Sequence, residues 1–387
     1  MVRSLILQYD GLNEDLPQFF EGAAGTLSRI AAFRFICDCL SWPPPERLSR
    51  AVSGEDFSWT ELIALAHEYR VSSAVAAGLS EAGVSDLLLK DAAVYFASTA
   101  THCRQRSKQI RSQAIDVAQI LNAIGVTPLF MKGGAHLSAG LYPDPGMRQM
   151  ADLDILVPAE RIDDCVAVLG RNGITRAGDH IHPRAHHHQP LVRSDYPLPI
   201  ELHHEVLAYP NEDFLPAGEM RETCTVLVLR GARIAVPSPT CAAIHAIAHA
   251  QLTDLDYVYG RFDLRGLLDL ALLTHARGDA LDWDSVCQRF DDHGKQTALG
   301  YQLSCAADLM GLFVQPPSQI SKTSQLLYAR ALYLVERPQL LSLGHRLLRP
   351  LILLRKEVSE PDLRRRLAAN MADRAWWRRH LRMLMGR

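Results

Sequence analysis

The chain has 387 residues, 48% hydrophobic and 22% charged, which is long enough for two or three packed units and too apolar for disorder to be the default. A formal net charge of −2 gives no support to a general polyanion-binding role for the whole molecule. The charge is unevenly placed: residues 346–387 carry 12 Lys/Arg against 4 Asp/Glu, net +8, leaving −10 for the rest.

The opening stretch MVRSLILQYDGLNEDL has a few apolar residues followed by acids, too short for a signal peptide or a membrane span. Eight cysteines without a CxxC pair are expected to be reduced and mostly buried, and the expected location is cytoplasmic, with no transmembrane segment. Residues 1 to about 125 read as helical. In SKQIRSQAIDVAQILNAIG, the residues Ile110, Ala114, Val117, Leu121 and Ile124 share a face, and Gly125 stands where a left-handed cap would end the helix.

From 126 to 237 the texture changes. VTPLFMKG and DLDILVP read as short strands, LPIELHHEV and TVLVLRGARIAVPS as further ones, and AERIDDCVAVLGRNG as a helix stopped at Gly173. Strands alternating with helices predict an α/β or α+β domain. From 238 to 387 the helical period returns, in SPTCAAIHAIAHAQL, LRGLLDLALLTHARG, WDSVCQRFDDHG and TSQLLYARALYLV, and predicts a bundle or cap with a basic tail.

Asp152 and Asp154 flank Leu153, one residue apart at the mouth of an apolar run. Period-two alternation puts both carboxylates on one side and Leu153, Ile155 and Val157 on the other. Two anionic groups that close repel, and a divalent cation such as Mg2+ is the natural remedy. Upstream, Gly133 and Gly134 form a strand-to-helix turn whose backbone amides can approach a phosphate, with Lys132 and Arg148 as full charges for the same anion. Arg148 could equally pair with an aspartate and steady its loop. Glu201, on the polar side of PIELHHEV, offers a third acid, which allows two-metal phosphoryl chemistry.

The order Lys-Gly, Tyr-Pro-Asp-Pro-Gly-x-Arg, Asp-x-Asp-hydrophobic, Glu-Leu-His-His resembles the bacterial nucleotidyltransferase-like proteins of the DNA polymerase β nucleotidyltransferase superfamily, in the branch called the uncharacterised nucleotidyltransferase family. The resemblance spans roughly residues 100 to 275. It implies an α+β fold: a small mixed-sheet palm flanked by N-terminal and C-terminal helical regions. It also implies that Asp152 and Asp154 ligate catalytic Mg2+, that Glu201 supplies the third carboxylate, and that the Gly133-Gly134 turn contacts the NTP phosphates. The sequence departs from the broader superfamily in the 17 residues between Gly134 and Asp152, a longer spacing, and in Ala151 where a Ser is common.

Other features compete for attention. Seven of the 16 histidines fall between His180 and His204, but no H-E-x-x-H helix or Cys/His framework accompanies them, so a mobile loop near the site is preferred to a zinc centre. His203 is the exception, sharing the face of Glu201. His245 with His249, and Arg265 with Asp269, have helical spacing and read first as structural pairs. Neither a Walker A nor a GxGxxG run is present. The tail, with Trp376 and Trp377 among arginines, reads as a helix docked on its own domain.

The expectation is an Mg2+- (or Mn2+-) dependent nucleotidyltransferase that uses an NTP, with ATP expected, and a small-molecule, sugar or peptide acceptor, nucleic acid not being expected. The alternatives are a catalytically silent palm that binds a nucleotide or partner, and a metal hydrolase built on the His-rich segment.

Overall fold

A hairpin signal at Arg230-Gly231 and alternating β-branched residues on either side account for the best-formed strands of the chain. In the computed structural model, which describes residues 28–48, 59–177, 187–312 and 320–359, β6 (Thr225–Leu229) and β7 (Ala232–Val236) pair antiparallel across that turn. Arg230 and Gly231 take φ of 47° and 83°, the double left-handed geometry whose twist suits a two-residue hairpin.

The hairpin is one edge of a seven-stranded mixed sheet of order β3-β4-β5-β2-β1-β7-β6. Its other strands are β1 (Leu129–Phe130), β2 (Leu153–Leu156), β3 (Thr175–Arg176), β4 (Leu191–Val192) and β5 (Ile200–His203). β2 runs antiparallel to β1 and parallel to β5. The expected α+β architecture is therefore present: a mixed sheet between helices. The two-residue strands β3 and β4 have no readable period and escape sequence patterning.

Eight helices or helical turns matter for positioning. The first three are α1 (Arg29–Leu40), α2 (Trp59–Glu68) and α3 (Ser72–Glu81), followed by the 33-residue α4 (Lys90–Asn122). α4 buries Ile110, Ala114, Val117 and Leu121, as its period predicts, and Gly125 at φ 78° turns the chain so that the Val126 amide donates back to Leu121 O. Its end is tied to the hairpin: Asn122 donates to Arg233 O at 3.1 Å and accepts from Arg233 N at 2.7 Å. α5 (Lys132–Ser138) follows β1 directly, and α6 (Ile162–Arg171) buries Cys165 and Leu169 before stopping near Gly173 at φ 78°. A six-residue α7 (Ala217–Glu222) leads into the hairpin, and α8 (Pro239–Ala248), with Ser238 capping its N-terminus, leaves it.

The C-terminal helices continue with α9 (Asp256–Tyr259), α10 (Leu264–Arg277), α11 (Trp283–Asp292), α12 (Gln296–Met310), α13 (Lys322–Val335) and α14 (Pro338–Ser359). α12 is buried almost all round, so it shows no amphipathic stripe in the sequence. The flanking helical regions share contacts: Arg29 donates from Nε to Val335 O at 2.9 Å, and the Ile30 amide to Glu336 at 2.6 Å. Among the described residues no helix is long and apolar enough to cross a membrane. The opening stretch, His180, His182 and His186, and the basic tail from residue 360 with Trp376 and Trp377 lie outside the described residues.

One buried acid gives the fold a pH signature. Asp256, against Arg261 at 3.0 Å, is nevertheless raised to about 7 because burial outweighs the attraction of the guanidinium. A folded-state value above the ordinary 3.8 means that the folded chain holds the extra proton between those limits, so stability falls as pH rises from about 4 to about 7. Asp256→Asn is expected to flatten that stretch of a thermal-melt profile against pH; an unchanged slope would contradict the assignment.

Candidate active site

Register alone brings two acids together. In the parallel β2/β5 pair Asp154 stands opposite Glu201 and Leu156 opposite His203, so Asp154, Glu201 and, two residues on, His203 project on one side of the sheet. The start of β5 is held by Gln113 of α4, whose amide donates to Leu198 O at 2.7 Å and accepts from Leu198 N at 3.2 Å. The Leu153 amide then donates to Pro199 O at 2.9 Å, which locks the two strands in step.

The three donor groups converge. His203 Nε2 lies 2.8 Å from Asp154 Oδ1 and 3.7 Å from Glu201 Oε2, and one ligand atom from each of the three residues lies within 4.8 Å of the others. Two carboxylates and an imidazole at this spacing fit a divalent cation. Asp152 is not one of the three. It sits one residue before β2, half-exposed, and reaches the group through charge, acting on both Lys132 and Glu201.

Asp154 corrects one expectation. Period-two alternation at the mouth of an apolar run predicts a solvent-facing carboxylate, but Asp154 is 3% exposed, because β2 is a central strand covered on both faces and all four of its residues are buried. Burial alone would raise its pKa; the Lys132 ammonium, 3.1 Å from Oδ2, and the His203 hydrogen bond outweigh it and hold the carboxyl well below the usual range. Glu201 moves the other way, raised by burial and then by Asp152 and Asp154, against the pull of His187. Burial lowers His203. The site thus holds one firmly ionised acid beside a weaker one.

Lys132 opens α5 with φ 49°, a left-handed conformation that a side chain adopts at a cost of about 1–2 kcal/mol. Its pKa is raised: burial opposes the charge, but Asp154 and Asp152 more than compensate. The next two residues pack tightly. A Cβ on Gly133 would meet Met150 Sδ at 2.7 Å, and one on Gly134 would meet Leu153 Cδ1 at 2.9 Å and Phe130 at 3.5 Å. Gly134 therefore lets α5 close on the core residue Leu153. Gly134→Val is expected to lower stability by about 1–3 kcal/mol through overpacking, read in urea melts; a variant as stable as the parent would show that the contact relaxes freely.

The Tyr-Pro-Asp-Pro-Gly loop is clamped from two sides. Asp144 accepts from the Gly146 amide at 2.9 Å and pairs with Arg104 of α4 at 2.8 Å, and a Cβ on Gly146 would strike Arg104 at 2.9 Å. Arg148, 10% exposed, donates from Nε to both oxygens of Asp269 on α10 at 3.1 and 3.0 Å, and Tyr142 donates to the same carboxylate at 2.9 Å. Of the two roles open to Arg148 in the sequence, this is the loop-steadying ion pair with an aspartate. Its Cγ would also lie 3.5 Å from a Cβ on Gly133, so the pair backs the glycine turn.

Sequence reasoning underweighted three histidines. His203 carried a signal in its two-residue spacing from Glu201. His187 did not: it joins through an antiparallel bridge to His203, with ring centroids 5.1 Å apart and its Nε2 3.9 Å from Glu201 Oε2. His245, on α8, is buried with Nε2 unpaired and feels the charges of Lys132, Asp154 and His203. α8 passes directly into a π-turn at His249–Thr253, a distortion that concentrates at functional sites. His249 pairs with Asp254 at 3.2 Å, and its ring lies 6.1 Å from that of His245.

The family described as Uncharacterised nucleotidyltransferase matches residues 55–311. No curated protein matches the chain. Among solved structures, an antigenic nucleotidyltransferase-like protein from Paracoccidioides brasiliensis aligns at 16% identity over 61% of this chain and 92% of its own, with a TM-score of 0.28.

Proposed function

Because the chain belongs to the uncharacterised nucleotidyltransferase family, we propose that it moves a nucleoside monophosphate from an NTP, ATP being the expected donor, to an acceptor hydroxyl or phosphate. The carrying observation is the pairing of Asp154 with Glu201 across β2 and β5, their donor atoms within 4.8 Å of each other and of His203. The acceptor oxygen attacks the α-phosphorus and gives up its proton, where it carries one, to water; the bond from that phosphorus to the bridging oxygen breaks, and pyrophosphate leaves with that electron pair. When bound by Asp152, Asp154 and Glu201, a divalent ion, Mg2+ or Mn2+, would spread the triphosphate charge and lower the pKa of the acceptor hydroxyl.

The chain's own groups take the remaining tasks. The first-turn amides at Gly133 and Gly134 have no intrahelical partner and suit phosphate oxygens. Lys132, paired with Asp154, adds a point charge beside them. Arg148, committed to Asp269, positions this turn. In this reading the sheet and its connections over 126–237 are the palm of a DNA polymerase β-type nucleotidyltransferase, and the helical regions 1–125 and 238–387 shape a pocket for a small-molecule, sugar or peptide acceptor in the cytoplasm.

A second reading is favoured by one observation: Lys132 and His203 already take both oxygens of Asp154, as they would in a silent palm that binds nucleotide without turnover. Incubating the protein with each α-labelled NTP, a divalent cation and fractionated cell extract separates the two. Labelled acceptor with pyrophosphate supports transfer; tight NTP binding with no label from any fraction supports the silent palm.

A further inference from the structure

We infer that His203 is itself a metal ligand, so that the centre selects a divalent ion of the Mn2+-to-Zn2+ series over Mg2+. The inference rests on the reading of Asp154 and Glu201 as ligands and goes beyond it in the donor set. Around an ion with bonds of about 2.1 Å, neighbouring donors lie about 3–4 Å apart. The separations here, 2.8 Å from Nε2 to Asp154 and 3.7 Å to Glu201, already approach that frame.

The imidazole is already seated against both acids. His203 is 2% exposed and its Nε2 points between the two carboxylates. A Mg2+ ion wants oxygen donors and keeps several of its waters, whereas imidazole nitrogen suits Mn2+, Fe2+, Co2+ and Zn2+ progressively better. Ligation needs the tautomer with its proton on Nδ1, and it replaces the present Nε2–Asp154 hydrogen bond by a shared ion. Lys132 then gives up Asp154 Oδ2 and becomes available to an anion. His245, on α8, is a second buried imidazole whose Nε2 has no hydrogen-bond partner, which makes it the rival nitrogen donor that the test must separate from His203. This centre differs from a hydrolase built on the whole His-rich segment, because two of its three ligands are acids.

The test uses the full-length chain stripped with chelator, without nucleotide. Titration calorimetry with Mn2+ and Mg2+ separately is expected to give at least tenfold tighter Mn2+ binding. Pulsed electron paramagnetic resonance of the Mn2+ form is expected to carry the modulation of a directly bound 14N. His203→Asp, which makes the donor set all oxygen, is expected to lose that modulation and to bring the two affinities within about threefold. If His203→Asp does not fold, His187→Gln and His245→Gln serve instead: the modulation persisting in both assigns the nitrogen to His203. Mg2+ binding as tight as Mn2+, absence of nitrogen modulation, or its loss in either of those two variants would overturn the inference. Nitrogen-bound Mn2+ without label transfer supports the inference while refuting nucleotidyl transfer, and Mg2+-supported transfer without nitrogen modulation does the reverse.

Discussion

Asp154→Asn is expected to abolish label transfer and to weaken the fold, whereas Asp152→Asn is expected to impair transfer and leave the fold as it was. Asp154 is the buried partner of both Lys132 and His203. Neutralising it leaves the ammonium without its direct partner and with only the more distant Asp152 and Glu201, and losing one member of a buried pair costs about 3–5 kcal/mol. Lys132 keeps 29% of its side chain exposed and can turn toward water, so the expected loss is nearer about 2 kcal/mol. The pH dependence has a definite sign. With its folded pKa depressed, Asp154 contributes stability above the ordinary carboxylate value of 3.8 that is lost as pH falls below it. The low-pH arm of the melting profile should therefore flatten in Asp154→Asn. Melting curves that overlay those of the parent at neutral pH would mean that the Lys132–Asp154 pair contributes nothing.

Glu201→Gln is expected to slow transfer by about 10²-fold or more while changing NTP affinity less than about threefold, as befits an interaction made in the transition state alone. The two acids differ in partners: Lys132 binds Asp154 at 3.1 Å, whereas Glu201 has His187 and His203 at 3.9 and 3.7 Å. Gln keeps the volume of Glu201, and the nearby Lys132 ammonium retains Asp154 at 3.1 Å as its direct partner, so little stability should be lost. Equal losses in affinity and rate would make Glu201 an ordinary binding residue.

What could be read from the sequence was whatever a local period encodes. The alternation in DLDIL and PIELH marked β2 and β5, the β-type run TVLVLRGARIAVPS marked β6 and β7, and Gly125 and Gly173 stopped their helices as expected. Register was not local. That Asp154 stands opposite Glu201, with 46 residues between them, follows from a parallel crossover that no dipeptide announces. Burial of Asp154 was misjudged for the same reason: a period-two strand reads as one-sided, and only the sheet order makes β2 central. The left-handed Lys132 was invisible because the strain is set by the β1–α5 junction and by its bond to Asp154, both tertiary. The Arg148–Asp269 pair joins a loop to a helix more than a hundred residues away, and sequence could offer it only as one of two roles.

If Asp154 and Glu201 form the centre for nucleotidyl transfer, removing either charge must suppress both products together. A single-turnover assay with α-labelled NTP, divalent cation and acceptor-containing extract can follow label on the acceptor and pyrophosphate together in the parent, Asp154→Asn and Glu201→Gln. Label and pyrophosphate are expected in equal amounts in the parent; both are expected to vanish in Asp154→Asn and to slow sharply in Glu201→Gln, with both variants folded by circular dichroism. Undiminished equimolar release in folded Asp154→Asn would contradict that assignment.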